Sequence, residues 1–138
     1  AHQIRPDMSL GALPAPFAIL AERLVATAGF ERAPDQVIVN EYHPGQGIAP
    51  HTDCIPCFGP VIASVSLLSP CEMEFTHPAV GKREVLMLAP RSLLVLSGPA
   101  RADWRHAIRP RKADLVDGVR VQRGRRLSLT FRTVSPAR

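Results

Sequence analysis

No stretch of this 138-residue chain approaches the ~20 consecutive apolar residues that a membrane-spanning helix needs. The opening residues, Ala1-His-Gln-Ile-Arg-Pro, hold no apolar segment of the kind that marks a secretory signal. Neither a membrane partner nor export is therefore expected. Cysteine is scarce: Cys54, Cys57 and Cys71 are an odd number and do not read as a disulfide framework. They are expected as thiols in a reducing, cytoplasmic setting. Cys54-Ile-Pro-Cys57 has zinc or redox spacing, but no second Cys/His pair completes four ligands. It reads as loop thiols. Repeats and low-complexity tracts are also absent.

Helical periodicity is confined to one segment. From Pro14 to Ala28 the apolar positions Phe17, Leu20, Ala21, Leu24 and Ala28 recur at helical spacing, and Gly29 stands where a helix would stop. This predicts one N-terminal helix bracing a sheet, after a loop over 1–13. What the chain has in quantity is short β-like runs: Gln36–Tyr42, Val61–Leu68, Glu72–Thr76, Glu84–Leu88, Ser92–Ser97, Trp104–Ile108 and Arg125–Val134. Fourteen prolines and nine glycines punctuate them. Many short strands separated by such turns predict a mainly β, antiparallel sandwich or jelly-roll-like barrel. Residues 110–124 read as a long exposed loop or hairpin. At this length one domain over 1–138 is expected, burying roughly two-thirds of its unfolded surface. Residues 1–35 would form the loop and helix, and 36–134 the core; a monomer is expected.

Acidic residues are depleted at one end. Residues 1–100 carry 6 Lys/Arg against 9 Asp/Glu, and residues 101–138 carry 11 against 3. A basic third of this kind suits a polyanion such as nucleic acid, or a solvated surface with no partner. Arg101, Arg105, Arg109, Arg111, Lys112, Arg120 and Arg123 are the candidates for phosphate-facing charge.

The chemistry-bearing stretch is Asn40 to Asp53. His51-x-Asp53 in extended structure would put an imidazole and a carboxylate on one face, because strand side chains alternate. His106, in Asp103-Trp-Arg-His-Ala-Ile108, is the candidate third ligand, 55 residues on. Two histidines and a carboxylate can hold a divalent metal on one face and leave the other open. In Arg126-Leu-Ser-Leu-Thr-Phe-Arg132, the residues Arg126, Ser128, Thr130 and Arg132 share one face of a strand. That face is either an edge in water or a polar interior whose guanidinium groups hold a dicarboxylate. Trp104, the only tryptophan, is either core or a stacking group for a base.

Asn40-x-Tyr42-x-Pro-Gly, His51-x-Asp53, Ile62-Ala-Ser-Val-Ser-Leu67, Pro90-Arg-Ser-Leu-Leu-Val95, Trp104-x-His106-x-Ile108 and Arg126-x-Ser-Leu-Thr-Phe-Arg132 together resemble the AlkB family of Fe(II)/2-oxoglutarate-dependent dioxygenases. Asp35-Gln36, Tyr42-His-Pro-Gly-Gln-Gly-Ile48 and Glu74-Phe-Thr-His-Pro78 look most like the oxygenase domain of its tRNA wobble-uridine hydroxylase branch. The resemblance runs in order from about residue 36 to 134. It implies a double-stranded β-helix, with Fe(II) held by His51, Asp53 and His106 as the catalytic centre. It implies 2-oxoglutarate as co-substrate, its distal carboxylate on Arg126 helped by Tyr42, with Arg132 near its metal-bound end. Asn40 would add a hydrogen bond, and Ser128 stands where some members carry Asn. O₂ would be the oxidant, and the products succinate, CO₂ and a hydroxylated substrate. Hydroxylation of an N-alkyl carbon would end in release of formaldehyde. The implied substrate is a base in nucleic acid, as alkylated DNA or RNA or as tRNA. A protein demethylase on the same fold and a non-catalytic, metal-bearing nucleic-acid binding module are the alternatives. With only residues 1–35 ahead of the shared core, the substrate-recognition lid of the family is expected to be short or missing.

Overall fold

The structure is a computed structural model and describes residues 4–135. A short 3₁₀ turn at Pro6–Met8 interrupts the stretch expected as loop. Helix α1, Ala15–Ala28, follows the apolar spacing of the sequence and ends at Gly29, whose φ of +80° is the left-handed conformation glycine adopts freely. Its buried face, Ala21 and Leu24, packs with Phe30 on Ala63, Leu129 and Phe131. The helix is the brace its pattern implied.

Among the described residues ten strands follow: β1 (Gln36–Tyr42), β2 (Ile48–His51), β3 (Ile62–Leu68), β4 (Cys71–His77), β5 (Lys82–Leu88), β6 (Ser92–Leu96), β7 (Arg105–Ile108), β8 (Ala113–Val116), β9 (Val119–Gln122) and β10 (Arg126–Arg132). They form a major sheet in the order β1-β10-β3-β6 and a minor sheet in the order β2-β7-β4-β5, with β8 and β9 as a separate hairpin. All pairs are antiparallel. Ile62, Met73, Phe75, Leu88, Leu96 and Ile108, drawn from both sheets, bury together in one cluster. The fold is a double-stranded β-helix with one bracing helix.

Two elements differ from expectation, each for a local reason, and a third resolves to one of its two expected forms. Strand β2 is four residues long and contains Pro50; it lies at the edge of its sheet, where a residue without an N–H is tolerated. The turn before it hugs β7 so closely that a Cβ on Gly47 would meet the Ile108 carbonyl. Helix α2, Gly98–Ala102, is too short for a periodic signature. Residues 110–124 resolve as the β8–β9 hairpin, turning at Asp117-Gly118 with positive φ at both positions, as a two-residue hairpin loop demands.

The cysteine expectation is overturned. Cys54 and Cys57 form a disulfide. Both lie in one tight turn, closed by a Cys57 N–H to Cys54 carbonyl bond, which brings their Cα atoms to 5.3 Å. Spacing within a single turn, not the total number of cysteines, decided the pairing, and cysteine usage no longer supports a reducing compartment. Cys71 is buried and unpaired. Among the described residues no helix is long and apolar enough to cross a membrane.

Candidate active site

Strand β10 sits between β1 and β3, and its alternation sorts its residues cleanly. Leu129 and Phe131 pack beneath α1, whereas Arg126, Ser128, Thr130 and Arg132 line a cavity of about 190 Å³ between the sheets. Register places Asn40 opposite Ser128, and Ser128 opposite Ser66, so three polar residues cross the major sheet in a row. Asn40, Tyr42, His51, Asp53, His106, Arg126, Ser128 and Arg132 all line this one cavity. Residues separated by as many as 92 positions thus converge.

The minor sheet supplies the three-residue cluster. His51 ends β2 and stands directly opposite His106 of β7, their ring centroids 4.2 Å apart. Asp53 lies two residues past the strand end, so strand alternation does not orient it. Its Oδ1 is nonetheless 3.4 Å from His51 Nε2 and 3.6 Å from His106 Nε2. One ligand atom from each of the three lies within 4.8 Å of the others. His51 Nδ1 is 3.0 Å from the Ala49 carbonyl. That bond puts a proton on Nδ1 and turns Nε2 toward the cluster.

Electrostatics point the same way. Burial, then the neighbouring His51, lower His106 to about 4, so its imidazole is neutral near pH 7. Burial would raise the Asp53 carboxyl, but the hydrogen bond with His51 and the Arg132 charge overcome it and hold the group at about 2. The hydrogen bond to Asp53 raises His51. Arg132 Nη1 donates to Asp53 Oδ2 at 2.9 Å and its Nε to Gln36 Oε1 at 2.8 Å, and its guanidinium lies 3.9 Å over the Phe58 ring. Arg132 therefore holds the outer oxygen of Asp53 and leaves Oδ1 turned to the histidines.

Arg126 is the unusual member. It is 2% exposed, and its Nη2 donates to Ser66 Oγ at 2.9 Å. Its Nε and Nη1 are buried and have no partner among the described residues. A buried, half-satisfied guanidinium costs several kcal/mol unless an anion compensates it. Tyr42 lies against it, 5.4 Å from ring centroid to guanidinium carbon.

The donor set therefore fits the group that the sequence resemblance implies. Two imidazoles and a carboxylate suit a divalent transition metal, and the orphaned donors of Arg126, in the same cavity, suit a carboxylate brought in with it. A model of the 2OG-Fe(II) oxygenase superfamily matches residues 3–132. The chain belongs to that superfamily. Within the 2OG-Fe(II) oxygenases, the AlkB resemblance is borne out by the relatives. The mouse tRNA (carboxymethyluridine(34)-5-O)-methyltransferase ALKBH8 is 38% identical over 90% of this chain and 21% of its own length. The Arabidopsis thaliana alkylated DNA repair protein ALKBH8 homolog is 36% identical over 91% of this chain and 43% of its own length. This chain thus spans less than half of either relative. The solved structure of OsALKBH1 superposes with a TM-score of 0.63 over 88% of this chain and 66% of that one, at 22% identity, which shows a shared fold.

Other expectations meet a mixed outcome. Trp104 packs against the core cluster and edge-on to His77, 5.3 Å between centroids, and is not among the cavity residues, so its structural reading holds. The candidate phosphate contacts are largely spoken for. Arg101 and Arg123 are buried, while Arg109 pairs with Glu74 and Arg111 with Glu72 and Asp114; outside that group, Arg125 pairs with Glu41. Among the described residues, Arg105, Lys112 and Arg120 of the candidate group form no ion pair. Acids from the first hundred residues thus neutralise much of the basic third. Ser64, Ser66 and Thr130 also line or support the cavity. Their signal was present as period-two alternation of hydroxyl residues on β3 and β10.

Proposed function

We propose that this chain is a single catalytic domain, with its core over 36–134. It would act as a monomer to oxidise a base in nucleic acid at the expense of 2-oxoglutarate and O₂. One observation carries the reading: Arg126, buried with two unsatisfied donors, faces the same cavity as the His51–Asp53–His106 cluster. In this reading His51 Nε2, Asp53 Oδ1 and His106 Nε2 hold Fe(II). Arg126, with Tyr42, holds the distal carboxylate of the co-substrate, and Asn40 and Ser128 line its flank. When bound, iron and 2-oxoglutarate supply the oxidising power, consuming O₂ and releasing succinate and CO₂ as one oxygen atom enters a substrate C–H bond. The residues of this chain do the rest. Arg132 fixes the orientation of Asp53, the Ala49 carbonyl fixes the His51 tautomer, and Ile62, Leu94, Leu96 and Ile108 narrow the cavity against water.

Nucleic acid as the substrate is supported by the names of the AlkB relatives, which refer to tRNA and to alkylated DNA. A protein substrate is favoured by one observation. Arg109, Arg111 and Arg125 are paired at the surface rather than free for phosphates. The experiment loads protein with Fe(II) and 2-oxoglutarate without oxygen, then admits O₂ and measures succinate. Wild type should produce succinate and His51→Ala should not; no succinate from wild type, with or without oligonucleotides, sinks the proposal. Formaldehyde from methylated oligonucleotides, against methylated peptides, separates the two substrate classes.

A further inference from the structure

The segments that carry the His–Asp–His cluster are cross-tied behind the cavity. His51 and His106 are set by the β2–β7 ladder, but Asp53 lies beyond the end of β2, where no ladder fixes its backbone. What holds it is Arg101, on α2, five residues before His106. Arg101 is 5% exposed. Its Nη1 donates to the Asp53 carbonyl at 2.8 Å, its Nη2 to the Cys54 carbonyl at 3.2 Å and its Nε to the Gly59 carbonyl at 3.2 Å. Among the described residues no carboxylate forms an ion pair with it. A buried cation is costly without compensation, and here the compensation is three carbonyl dipoles of the loop that begins at Asp53. A second tie runs the same way: Thr52 Oγ1 donates to the Trp104 carbonyl at 2.9 Å. The far end of the loop is anchored separately, by Gly59 N–H to the Thr133 carbonyl and Ser135 N–H to the Cys57 carbonyl, both at 2.9 Å.

We propose that Arg101, seconded by Thr52, is a positioning residue for the metal centre, clamping the backbone of Asp53 to the segment that presents His106. The inference rests on the reading of His51, Asp53 and His106 as metal ligands. The guanidinium touches none of the ligating atoms. It sets where the carboxylate starts from, and Arg132 sets which way it points. Lysine keeps the charge but cannot reach three diverging carbonyls with one ammonium.

The test titrates Co(II) into the full chain and follows its visible d–d bands, which report ligand geometry independently of turnover. Arg101→Lys, folded by circular dichroism, should bind Co(II) about 10–100-fold more weakly with altered bands, the range found when groups supporting metal ligands are removed. Thr52→Val should shift the same way by less. Arg123→Lys is the control: an equally buried arginine remote from the cluster, which should lower thermal stability and leave Co(II) affinity and bands unchanged. A folded Arg101→Lys with wild-type affinity and bands overturns the clamp. If Arg101→Lys does not fold, Thr52→Val decides, and an unchanged affinity and spectrum there overturns it equally. Wild-type protein that binds no Co(II) instead removes the metal-site reading itself, and the clamp with it.

Discussion

Arg123 and Arg126 stand three residues apart, are both buried, and could hardly be used more differently. Arg123 is fully met by protein. Its Nε and Nη2 grip Asp114 at 2.9 and 2.8 Å, and its Nη1 donates to the carbonyls of Arg109 and Arg111 at 2.7 and 3.0 Å. Arg126 has one hydroxyl and an aromatic face, with two donors left over. A satisfied buried charge is part of the scaffold: it ties the β8–β9 hairpin to the neck of β10 and asks for nothing more. An unsatisfied one stores a demand for an anion. On the proposed function, the contrast separates a structural arginine from a ligand-binding one where composition and burial cannot.

The largest expected effect breaks the satisfied side. Asp114→Asn strands Arg123 and should cost about 3–5 kcal/mol of stability, read as a lower denaturant midpoint, while the folded protein keeps its affinity for 2-oxoglutarate. Arg126→Ala should do the opposite. It should weaken 2-oxoglutarate by about a hundredfold, since charge-assisted pairs contribute roughly 1.5–3 kcal/mol per bond, with little loss or a gain in stability. Calorimetry with redox-inert Mn(II) measures the first and thermal melting the second; an unchanged affinity would refute the anchor.

A third expectation is pH-dependent. Burial would raise the Asp114 carboxyl, but its bonds from Arg123 outweigh that and lower it. A lowered folded value means stability is fully present above the unfolded value of about 3.9 and is lost as pH falls through the folded one. Acid melting should therefore be less steep in Asp114→Asn than in wild type. The smallest effect concerns Tyr42→Phe, which keeps the ring against Arg126 and removes the hydroxyl. A loss of about fivefold in 2-oxoglutarate affinity would match one ordinary hydrogen bond, and none at all would confine Tyr42 to packing.

How much of this was legible beforehand depended on whether a residue's partner is set by local periodicity. On β10 alternation alone groups Arg126, Ser128, Thr130 and Arg132 on one face, while leaving open whether that face met water or an interior. Asn40 and Tyr42 came from the family resemblance and share a face by the same alternation on β1. The His51–Asp53 pair was found for a reason only half right, since Asp53 sits outside the strand and is aimed by Arg132 and its loop. Long-range pairing was the blind spot. Acids before residue 100 neutralise Arg109, Arg111 and Arg125, so the local charge imbalance overstated the basic surface. The Cys54–Cys57 bond was missed because cysteines were counted over the chain rather than within the turn.

The division of labour between the sheets has a mechanical consequence. Arg126 belongs to the major sheet and the His51–His106 pair to the minor one. A dicarboxylate gripped at one end by Arg126 and at the other by a metal would be a strut wedged between two walls. Filling the cavity should therefore stiffen the sandwich as a whole. Slower amide exchange should appear on β3 and β4, which flank the gap.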